Sequence, residues 1–334
     1  MALDGVSADG MGAILAKQKA ANIRDGIPSL AQREAWIDKS IDLLVTHGDA
    51  LSSAMAEDFG HRSLDQSALT DIAGSIGALK FSRKHMRKWM RPEKRKVEFP
   101  LGLLGSKAHI QYQPKGVVGI ISPWNFPVNL TVAPLANVFA AGNRAMIKPS
   151  EFTEKTSELM AELISKYYTE EEVAVVTGGP DIGAAFTKLP FDHIVFTGAT
   201  SIAHHVMRAA ADNLVPLTLE LGGKSPVILG KSADVEKAAS RIMAGKTLNA
   251  GQICLAPDYA FVPEEKTGDF VGAAQAAVGK MFADGLKDND DYTSIVNQRH
   301  YERLNSYLED AREKGAEVIE INPQDENFSQ QPHH

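Results

Sequence analysis

The sequence predicts an α/β protein organised around a doubly wound, Rossmann-like parallel sheet, and three observations support this class. Short apolar segments alternate with helical patterns from about residue 116 to residue 221, as expected for parallel strands covered on both faces. A second alternation of the same kind begins after residue 221, and residues 10–90 read as helical. We therefore expect N-terminal helices and a Rossmann-like domain over residues 1–220, followed by a second α/β domain over residues 221–334.

The helical N-terminal region contains two clear helix patterns. Ser29 is a candidate N-cap, and an apolar stripe follows it at helical spacing and should face a core: Ile37, Ile41, Leu44 and Val45. A second helix is predicted from about residue 64 to residue 90, ending before Pro92. We interpret the basic cluster at its end as a solvated helix terminus and not as an anion site: Arg83, Lys84, Arg87, Lys88, Arg91, Lys94, Arg95 and Lys96.

Residues 97–114 change to short alternating segments around Pro100 and Gly102, which predict a β-hairpin. The regular alternation follows. Its strands are predicted at 116–122, 145–148, 172–176, 193–196 and 216–221, and its helices at about 128–141, 152–167, 181–188 and 200–212. The second alternation predicts strands at 226–229 and 259–263 and helices at about 234–249, 266–284 and 298–314.

Composition narrows the class of protein. Apolar residues make up 44% and charged residues 23% of the 334 residues, which is an ordinary globular balance. The net charge of −7 argues against a nucleic-acid surface. Residues 1–5 have no basic start followed by an apolar segment, and no apolar run approaches the ~18 residues that a membrane span needs. With a single cysteine, these features predict a cytoplasmic protein.

That single cysteine, Cys254, has two interpretations. A free thiol is often a small buried hydrophobe, or it is a reactive group. Residues 249–251 end a helical pattern, and Gly251 and Gln252 predict a bend, so Cys254 should lie in a loop, where catalytic residues concentrate. A carboxylate, Glu220, ends an apolar strand and is followed by Gly222 and Gly223, which allow close backbone approach. From these residues alone, both interpretations remain open.

Three further groups of residues follow predicted strands. The usual G-x-G-x-x-G fingerprint of dinucleotide-binding proteins is absent. Instead, Phe196, Thr197 and Gly198 lead through a turn into a helix that starts near Ser201. This turn is either a binding site for a pyrophosphate or a plain strand-to-helix turn. Lys148 and Glu151 form either a ligand site or a surface ion pair. Asn125, between Trp124 and Phe126, is either a turn residue or an amide donor. His204 and His205 have no partners with metal-ligand spacing, so no metal site is predicted.

The segment Leu219-Glu220-Leu221-Gly222-Gly223-Lys224, followed by Gly251-Gln252-Ile253-Cys254 with the thiol thirty-four positions after the glutamate, resembles the active-site signature of the NAD(P)-dependent aldehyde dehydrogenases. The sequel Ala256-Pro257-Asp258-Tyr259 resembles the class 3 branch, which includes the bacterial coniferyl aldehyde dehydrogenases. The resemblance covers essentially the whole chain. It implies oxidation of an aldehyde to a carboxylic acid, and the expected substrate is an aromatic aldehyde such as coniferyl aldehyde.

The resemblance also implies roles for individual residues. Cys254 would be the nucleophile and Glu220 the general base, while Asn125 and the Cys254 backbone N–H would hold the substrate oxygen. Lys148 and Glu151 would bind the adenine-side ribose, and the glutamate favours NAD over NADP through charge repulsion, with NADP still possible. The remaining cofactor contacts implied are Trp124, Phe196, Thr197, Gly198, Ser201, Leu221 and Gly222. Ala203 departs from the glycine that is frequent in the family, and Lys224 would support its loop.

Other expectations concern assembly and the end of the chain. The resemblance implies a homodimer formed through the 97–114 hairpin. The chain closes at residues 327–334 without the Glu-x-Phe-Gly-Pro block that holds the nicotinamide ribose in the family. We therefore expect residues 1–334 alone to form neither a stable dimer nor an active dehydrogenase. Alternative functions are a class 3 enzyme for aliphatic aldehydes, a cysteine hydrolase or acyltransferase, and an inactive binding remnant of the fold.

Overall fold

The computed structural model describes residues 8–287 and 289–328, and these divide into two compact units. The first unit contains the described residues up to Leu51, together with Leu69–Glu151 and Thr156–Glu220. The second contains Ser52–Ala68, Phe152–Lys155 and the described residues from Leu221 onward. Residues 1–5, over which no signal peptide is predicted, and residues 329–334 lie outside the described part.

The N-terminal region is helical, as predicted. Its elements are α1 (Ala8–Asp25), α2 (Leu30–Phe59), α3 (Leu64–Ser67), a π-helical turn (Ala68–Ala73) and α4 (Gly74–Trp89). Ser29 caps α2, since its hydroxyl accepts a hydrogen bond from the Gln32 N–H at 3.3 Å. The single helix predicted over 64–90 is instead interrupted by the π-helical turn. Its end before Pro92 is confirmed.

The predicted apolar stripe of α2 is correct except at Val45. Ile37 and Leu44 are buried, whereas Val45 is 68% exposed. Successive helical residues are rotated by about 100°, so Val45 points well away from the line through Ile37, Leu44 and Leu51. The buried face continues through Leu51, which stands seven residues after Leu44 and is fully buried.

The predicted hairpin exists, but its first strand lies further upstream. Strand β1 (Glu93–Arg95) pairs antiparallel with β2 (Ala108–Ile110). Most of the predicted 97–114 segment is the connection between them, which includes a 3₁₀ helix over Leu101–Leu104. Gly105 ends this turn with φ +84°, a conformation that favours glycine. The alternation that we assigned to strands upstream of Ala108 therefore belongs to a turn.

The first unit is built on a five-stranded parallel sheet in the order β5-β4-β3-β6-β7. The strands are β3 (Val117–Ile121), β4 (Arg144–Lys148), β5 (Val173–Val175), β6 (His193–Gly198) and β7 (Leu217–Leu221). The intervening helices are α5 (Asn129–Ala140), α6 (Glu154–Tyr167), α7 (Pro180–Thr187) and α8 (Thr200–Ala211). The order reverses at β3, so the carboxyl ends of β3 and β6 flank the switch point where such sheets bind ligands.

The second unit contains a two-stranded parallel sheet of β8 (Ser225–Ile228) and β9 (Pro257–Phe261). Helix α9 (Val235–Thr247) connects them and continues into a 3₁₀ helix over Leu248–Gly251. Helices α10 (Thr267–Met281) and α11 (Gln298–Glu313) follow. Each predicted element after residue 116 is present, with ends shifted by a few residues. Among residues 8–287 and 289–328, no helix is long and apolar enough to cross a membrane.

Candidate functional site

The loop that carries Asn125 leaves the carboxyl end of β3 and is fixed at both of its ends. Thr131, buried in α5, places its hydroxyl oxygen 2.7 Å from both the Ser122 hydroxyl and the Pro127 carbonyl oxygen. Ser122 also extends the hydrogen bonding between β3 and β4, because its N–H donates to the Lys148 carbonyl at 3.2 Å. Trp124 and Asn125 lie between these anchors and are half-buried. The amide of Asn125 is therefore carried on a short, tethered loop at the switch point of the sheet.

A buried carboxylate fixes the start of the helix that follows this loop. Asp71, on the π-helical turn, is fully buried, and its Oδ1 accepts hydrogen bonds from the Val128 and Asn129 N–H groups, both at 3.1 Å. The first N–H groups of a helix have no partner within the helix, and a negative charge there is favourable. The Asn129 amide returns a hydrogen bond to the Thr70 carbonyl at 2.7 Å. Asp71 thus caps α5 from a distant part of the sequence.

At the end of β4, Lys148 is buried to 3% exposure while Glu151 remains exposed. The lysine Nζ lies 3.1 Å from Glu151 Oε2 and donates to the Pro149 carbonyl at 2.9 Å. A lysine is rarely this buried unless it is paired. The two residues therefore present a fixed ammonium and an accessible carboxylate side by side, a donor and acceptor set that suits the hydroxyl groups of a ribose.

At the end of β6, Gly198 leads through Ala199 into α8. A Cβ atom on Gly198 would lie 2.7 Å from the ring of Phe196, so the ring packs directly over the glycine. Ala199 is the N-cap of α8 and provides no side-chain hydrogen bond to its first N–H groups. Thr200 and Ser201 are exposed there. This arrangement of an uncapped helix start behind a glycine fits an anionic group such as a pyrophosphate.

Glu220 is the second-to-last residue of β7 and has an exposed side chain. Side chains alternate along the strand, and Thr218 and Glu220 share the exposed face while Leu217, Leu219 and Leu221 are half-buried. The next residue is Leu221, followed by Gly222 in an exposed position. The carboxylate therefore stands on the accessible face at the carboxyl end of the sheet.

In the second unit, Cys254 lies in a turn, as predicted, and the structure shows its thiol exposed. We call residues 249–254 the Cys254 turn. Three consecutive residues in it are left-handed, with φ values of 51° at Asn249, 51° at Ala250 and 73° at Gly251. A non-glycine residue in this region costs about 1–2 kcal/mol. The surrounding contacts must therefore offset strain at both Asn249 and Ala250.

Three amide side chains supply these contacts, and we call Gln66, Asn249 and Gln252 the amide bracket. Gln66 Nε2 donates to Asn249 Oδ1 at 3.1 Å, and its Oε1 accepts from the Asn249 backbone N–H at 2.9 Å. Gln252 Nε2 donates to the carbonyls of Asn249 and Ser294, both at 3.0 Å, and its Oε1 accepts from the Val296 N–H at 3.0 Å. Asn249 itself is fully buried. The bracket holds the Cys254 turn from two sides.

Glycine and a surface ion pair complete the surroundings of the thiol segment. Gly223 lies against the backbone of Cys254, as the sequence predicted for a position that needs close approach. Lys224 Nζ forms an ion pair with Asp258 Oδ1 at 2.9 Å, and the supporting role expected for Lys224 stays a prediction. The lysine side chain is 79% exposed, so this pair contributes little to stability.

The basic cluster and the two histidines of α8 lie on the surface. All members of the basic cluster are exposed, but Arg91, Lys94, Arg95 and Lys96 lie beyond the end of α4 at Trp89, and Lys94 and Arg95 belong to β1. His204 and His205 are exposed on α8. In the described part of the chain, no group of three or more histidine, cysteine or acidic residues is arranged to hold a metal ion.

Comparisons with known proteins identify the family. The sequence model of the aldehyde dehydrogenase family matches residues 12–332. The chain belongs to the aldehyde dehydrogenase family. It is 62% identical over 324 residues to a probable coniferyl aldehyde dehydrogenase of Caulobacter vibrioides, covering 97% of this chain and 67% of that one. It is 52% identical to a coniferyl aldehyde dehydrogenase of a Pseudomonas species, covering 95% of this chain and 65% of that one. The chain thus spans about two thirds of the length of these relatives.

Solved structures of the family confirm the predicted aldehyde dehydrogenase-like fold. The substrate-bound state of AldH from Staphylococcus aureus superposes with a TM-score of 0.86 at 31% identity, over 96% of this chain and 73% of that one. An aldehyde dehydrogenase of Mycobacterium tuberculosis complexed with NAD+ has a TM-score of 0.83 at 27% identity, over 94% of this chain and 64% of that one. The family predicted from the two signature segments is therefore correct.

Sequence reasoning missed Asp71, Gln66 and the interior role of Asn249. Nothing in the segments around Asp71 distinguishes it from a surface carboxylate of a helix. Gln66 stands three residues after Ser63, the S-x-x-Q spacing of a capping box, and Ser63 does cap α3 by accepting from the Gln66 N–H at 3.2 Å. That spacing signals a helix start and does not reveal the partner, Asn249, 183 residues away.

Proposed function

We propose that this protein is an NAD(P)-dependent aldehyde dehydrogenase that oxidises an aldehyde to a carboxylic acid through a covalent intermediate on Cys254. The observation that carries the proposal is the Cys254 turn. The sole thiol of the chain is exposed on a strained turn that three buried or half-buried amides hold in place. A thiol kept only for packing would be buried. Membership of the aldehyde dehydrogenase family supports a reactive role for this exposed thiol.

The carboxyl edge of the five-stranded sheet fits a dinucleotide. Lys148 and Glu151 offer an ammonium donor and a carboxylate acceptor for ribose hydroxyls, and the uncapped start of α8 behind Gly198 offers N–H groups for the pyrophosphate. We assign Phe196, Thr197 and Ser201 to the same cofactor site, with Trp124, Leu221 and Gly222 as further contacts. The exposed Glu151 carboxylate would repel a 2′-phosphate, which favours NAD over NADP.

The proposed chemistry begins at the thiol. The Cys254 thiolate adds to the aldehyde carbon, a C–S bond forms, and the carbonyl oxygen becomes an oxyanion. The Asn125 amide and the Cys254 backbone N–H stabilise this oxyanion, and the fixed anchors of the Asn125 loop keep its donor oriented. NAD(P)+ held at the carboxyl edge of the sheet would accept the hydride that the tetrahedral carbon loses when its C–H bond breaks and the C=O bond re-forms. The product on the enzyme is a thioester of Cys254.

Glu220 then acts as general base in the second half of the reaction. It takes a proton from water, and the oxygen of that water attacks the thioester carbon. The C–S bond breaks, the carboxylic acid leaves, and the Cys254 thiolate is regenerated. The exposure of Glu220 on the accessible face of β7 supports this role because the carboxylate must meet water. We assign residues 1–220 to the cofactor domain and residues 221–334 to the catalytic domain.

The proposed substrate is an aromatic aldehyde of the coniferyl type. The support is the similarity, at 62% and 52% identity, to proteins described as probable coniferyl and coniferyl aldehyde dehydrogenases. Members of aldehyde dehydrogenase family 3 are more distant, such as the rat family 3 member B1 at 38% identity.

We also propose a homodimer. The connection between β1 and β2 carries three apolar side chains that are each at least 78% exposed: Phe99, Leu103 and Leu104. Exposed apolar patches often mark protein–protein interfaces.

The test compares wild type with Cys254→Ala in the full-length enzyme. With coniferyl aldehyde and NAD+, the wild type should produce reduced nicotinamide, and Cys254→Ala should not, while both bind NAD+ with the same affinity by calorimetry. A panel of aromatic and aliphatic aldehydes, ranked by kcat/KM, tests the substrate class. Hydrolysis of thioesters without any reduction of NAD+ would instead identify a cysteine hydrolase. Wild-type turnover by Cys254→Ala would contradict the proposed mechanism.

A further inference from the structure

We propose that Gln66 is a positioning residue for the nucleophile, acting through Asn249 on the Cys254 turn; this inference rests on the function proposed above. Gln66 belongs to α3, far from Cys254 in the sequence, and the amide bracket joins the two segments within the second unit. The residue does not need to touch the substrate or the cofactor for this role. It acts by fixing the backbone that carries the thiol.

The first step of the argument is that Asn249 is held by both of its neighbours in the bracket. Its backbone N–H and side-chain oxygen bond to Gln66, and its backbone oxygen accepts from both the Gln252 amide and the Gln252 N–H, each at 3.0 Å. The Asn249 amide also donates to the Gln252 carbonyl at 3.4 Å. A fully buried asparagine with its polar groups engaged in this way has one conformation available to it.

The second step is that this conformation is the strained one that the thiol requires. Asn249 is the first of the three left-handed residues, and the chain reaches Cys254 only five residues later. Without the bonds from Gln66, a buried backbone N–H and a buried amide oxygen would lack these partners, and the left-handed conformation of Asn249 would lose its support. The backbone N–H of Cys254, our second oxyanion donor, would then lose its fixed direction.

The third step is that Gln66 is itself held rigidly. The Gln66 N–H bonds to the hydroxyl of Ser63, which is buried, and the adjoining His61 carbonyl accepts from the Ser294 N–H at 3.0 Å. Ser294 also accepts from Gln252 through its carbonyl oxygen. The start of α3, the Cys254 turn and the segment around Ser294 therefore form one closed set of hydrogen bonds. Such a closed set transmits the position of Gln66 to the turn.

The test uses Gln66→Met, which keeps the length of the side chain and removes both hydrogen bonds, and the milder Gln66→Glu, which keeps the acceptor for the Asn249 N–H. The matched control is Gln298→Met, an exposed glutamine of α11 whose amide bonds only to surface Glu302 among the contacts described. Cys254 is the only cysteine among the 334 residues of this sequence, so a nitroxide label on it reports the turn directly once any cysteine elsewhere in the full-length enzyme is replaced by serine. Hydrogen exchange of residues 249–256 and steady-state kinetics complete the measurement on the full-length enzyme.

For Gln66→Met we expect a more mobile label, exchange of the turn amides faster by roughly 10-fold, and kcat lower by roughly 10-fold or more, with NAD+ affinity within about twofold of wild type. Gln66→Glu should show smaller changes in the same direction. Gln252→Met should lower kcat as well, and the double variant should fall short of the product of the two effects, because both residues hold the same turn.

Label mobility, exchange and kcat that all match Gln298→Met would overturn the proposal. A lowered melting temperature with unchanged kcat and exchange in the folded enzyme would also overturn it, since Gln66 would then be merely structural. A loosened turn in Gln66→Met combined with full turnover by Cys254→Ala would instead overturn the proposed function and still support the role of Gln66 in holding the turn. The two proposals therefore fail by different measurements.

Discussion

The backbone of Gly223 approaches Cys254 so closely that a Cβ atom on Gly223 would lie 2.9 Å from the Cys254 carbonyl oxygen. Backbone atoms cannot move aside as the end of a flexible side chain can. Any side chain at position 223 therefore has to displace the peptide that follows the thiol. This contact explains why a glycine, two residues after Leu221, is needed beside the proposed nucleophile.

Gly223→Ala should consequently reduce turnover by ~10-fold or more, since small displacements of a catalytic group are costly, and leave the secondary structure intact. Gly230→Ala is the matched control, because an added Cβ there meets no atom within 4 Å. The measurement is kcat for aldehyde oxidation, with circular dichroism to verify folding. Equal kcat values for the two alanine variants would show that the close contact has no consequence for catalysis.

A second prediction separates the two halves of the reaction at Glu220. Glu220→Gln should form the thioester and hydrolyse it slowly, because only the later step needs the base. Rapid-mixing absorbance should therefore show a burst of about one reduced cofactor per site, followed by slow turnover. Glu236→Gln, an exposed glutamate of α9, should behave as wild type. Normal cofactor binding without a burst in Glu220→Gln would exclude a role confined to hydrolysis.

A third prediction is that the Asn125 side chain accelerates the first half of the reaction, in which the oxyanion forms. Asn125→Ala removes an oxyanion donor and should lower kcat by ~10²–10³. The burst itself should slow by a similar factor, which distinguishes this variant from Glu220→Gln. An exposed asparagine, Asn213, provides the control as Asn213→Ala. If the burst of Asn125→Ala remained as fast as in the wild type, the oxyanion would have to be stabilised by other groups.

These predictions depend on features that differ in how visible they were in the sequence. The strands of the parallel sheet could be predicted because both of their faces are covered, which makes Val117, Val118 and Ile120 a continuous apolar run. The loop position of Cys254 could be predicted from the glycine after a helix, whereas the exposure of its thiol is shown only by the structure. The prediction that Val45 faces the core was wrong, because this residue lies beside the apolar stripe of α2 and not on it. Contacts such as Gln66 with Asn249 join segments 183 residues apart, and local patterns contain no information on them.

The role of Asp71 at the start of α5 is also revealed only by the structure, and it leads to a prediction about stability. Asp71→Ala leaves the Val128 and Asn129 N–H groups without their buried acceptor, which should lower the free energy of unfolding by ~1–3 kcal/mol. Asp71→Asn keeps an acceptor oxygen in the same place and should lower the free energy of unfolding by less. Urea denaturation of both variants measures the difference. Equal destabilisation by alanine and asparagine would mean that the charge, and not the acceptor, stabilises the start of α5.

The last prediction concerns acid stability and His193 in β6. The ring lies with Nδ1 3.1 Å from Lys115 Nζ and Nε2 2.9 Å from the Thr218 hydroxyl. Burial, and then the positive charge of Lys115, lower the pKa of His193 below its usual 6.5. The unfolded chain therefore takes up this proton at a higher pH than the folded chain does. The stabilisation is present above pH 6.5 and is lost as the pH falls through the lowered pKa.

The urea midpoint of the wild type should accordingly fall between about pH 7 and about pH 5, and His193→Gln should show a smaller fall over the same range because it has no proton to bind. Glutamine retains an amide that can bond to Thr218. His205→Gln, at an exposed position of α8, controls for the loss of a histidine as such and should follow the wild type. Parallel curves for His193→Gln and the wild type would show that this histidine does not contribute to the acid sensitivity of the fold.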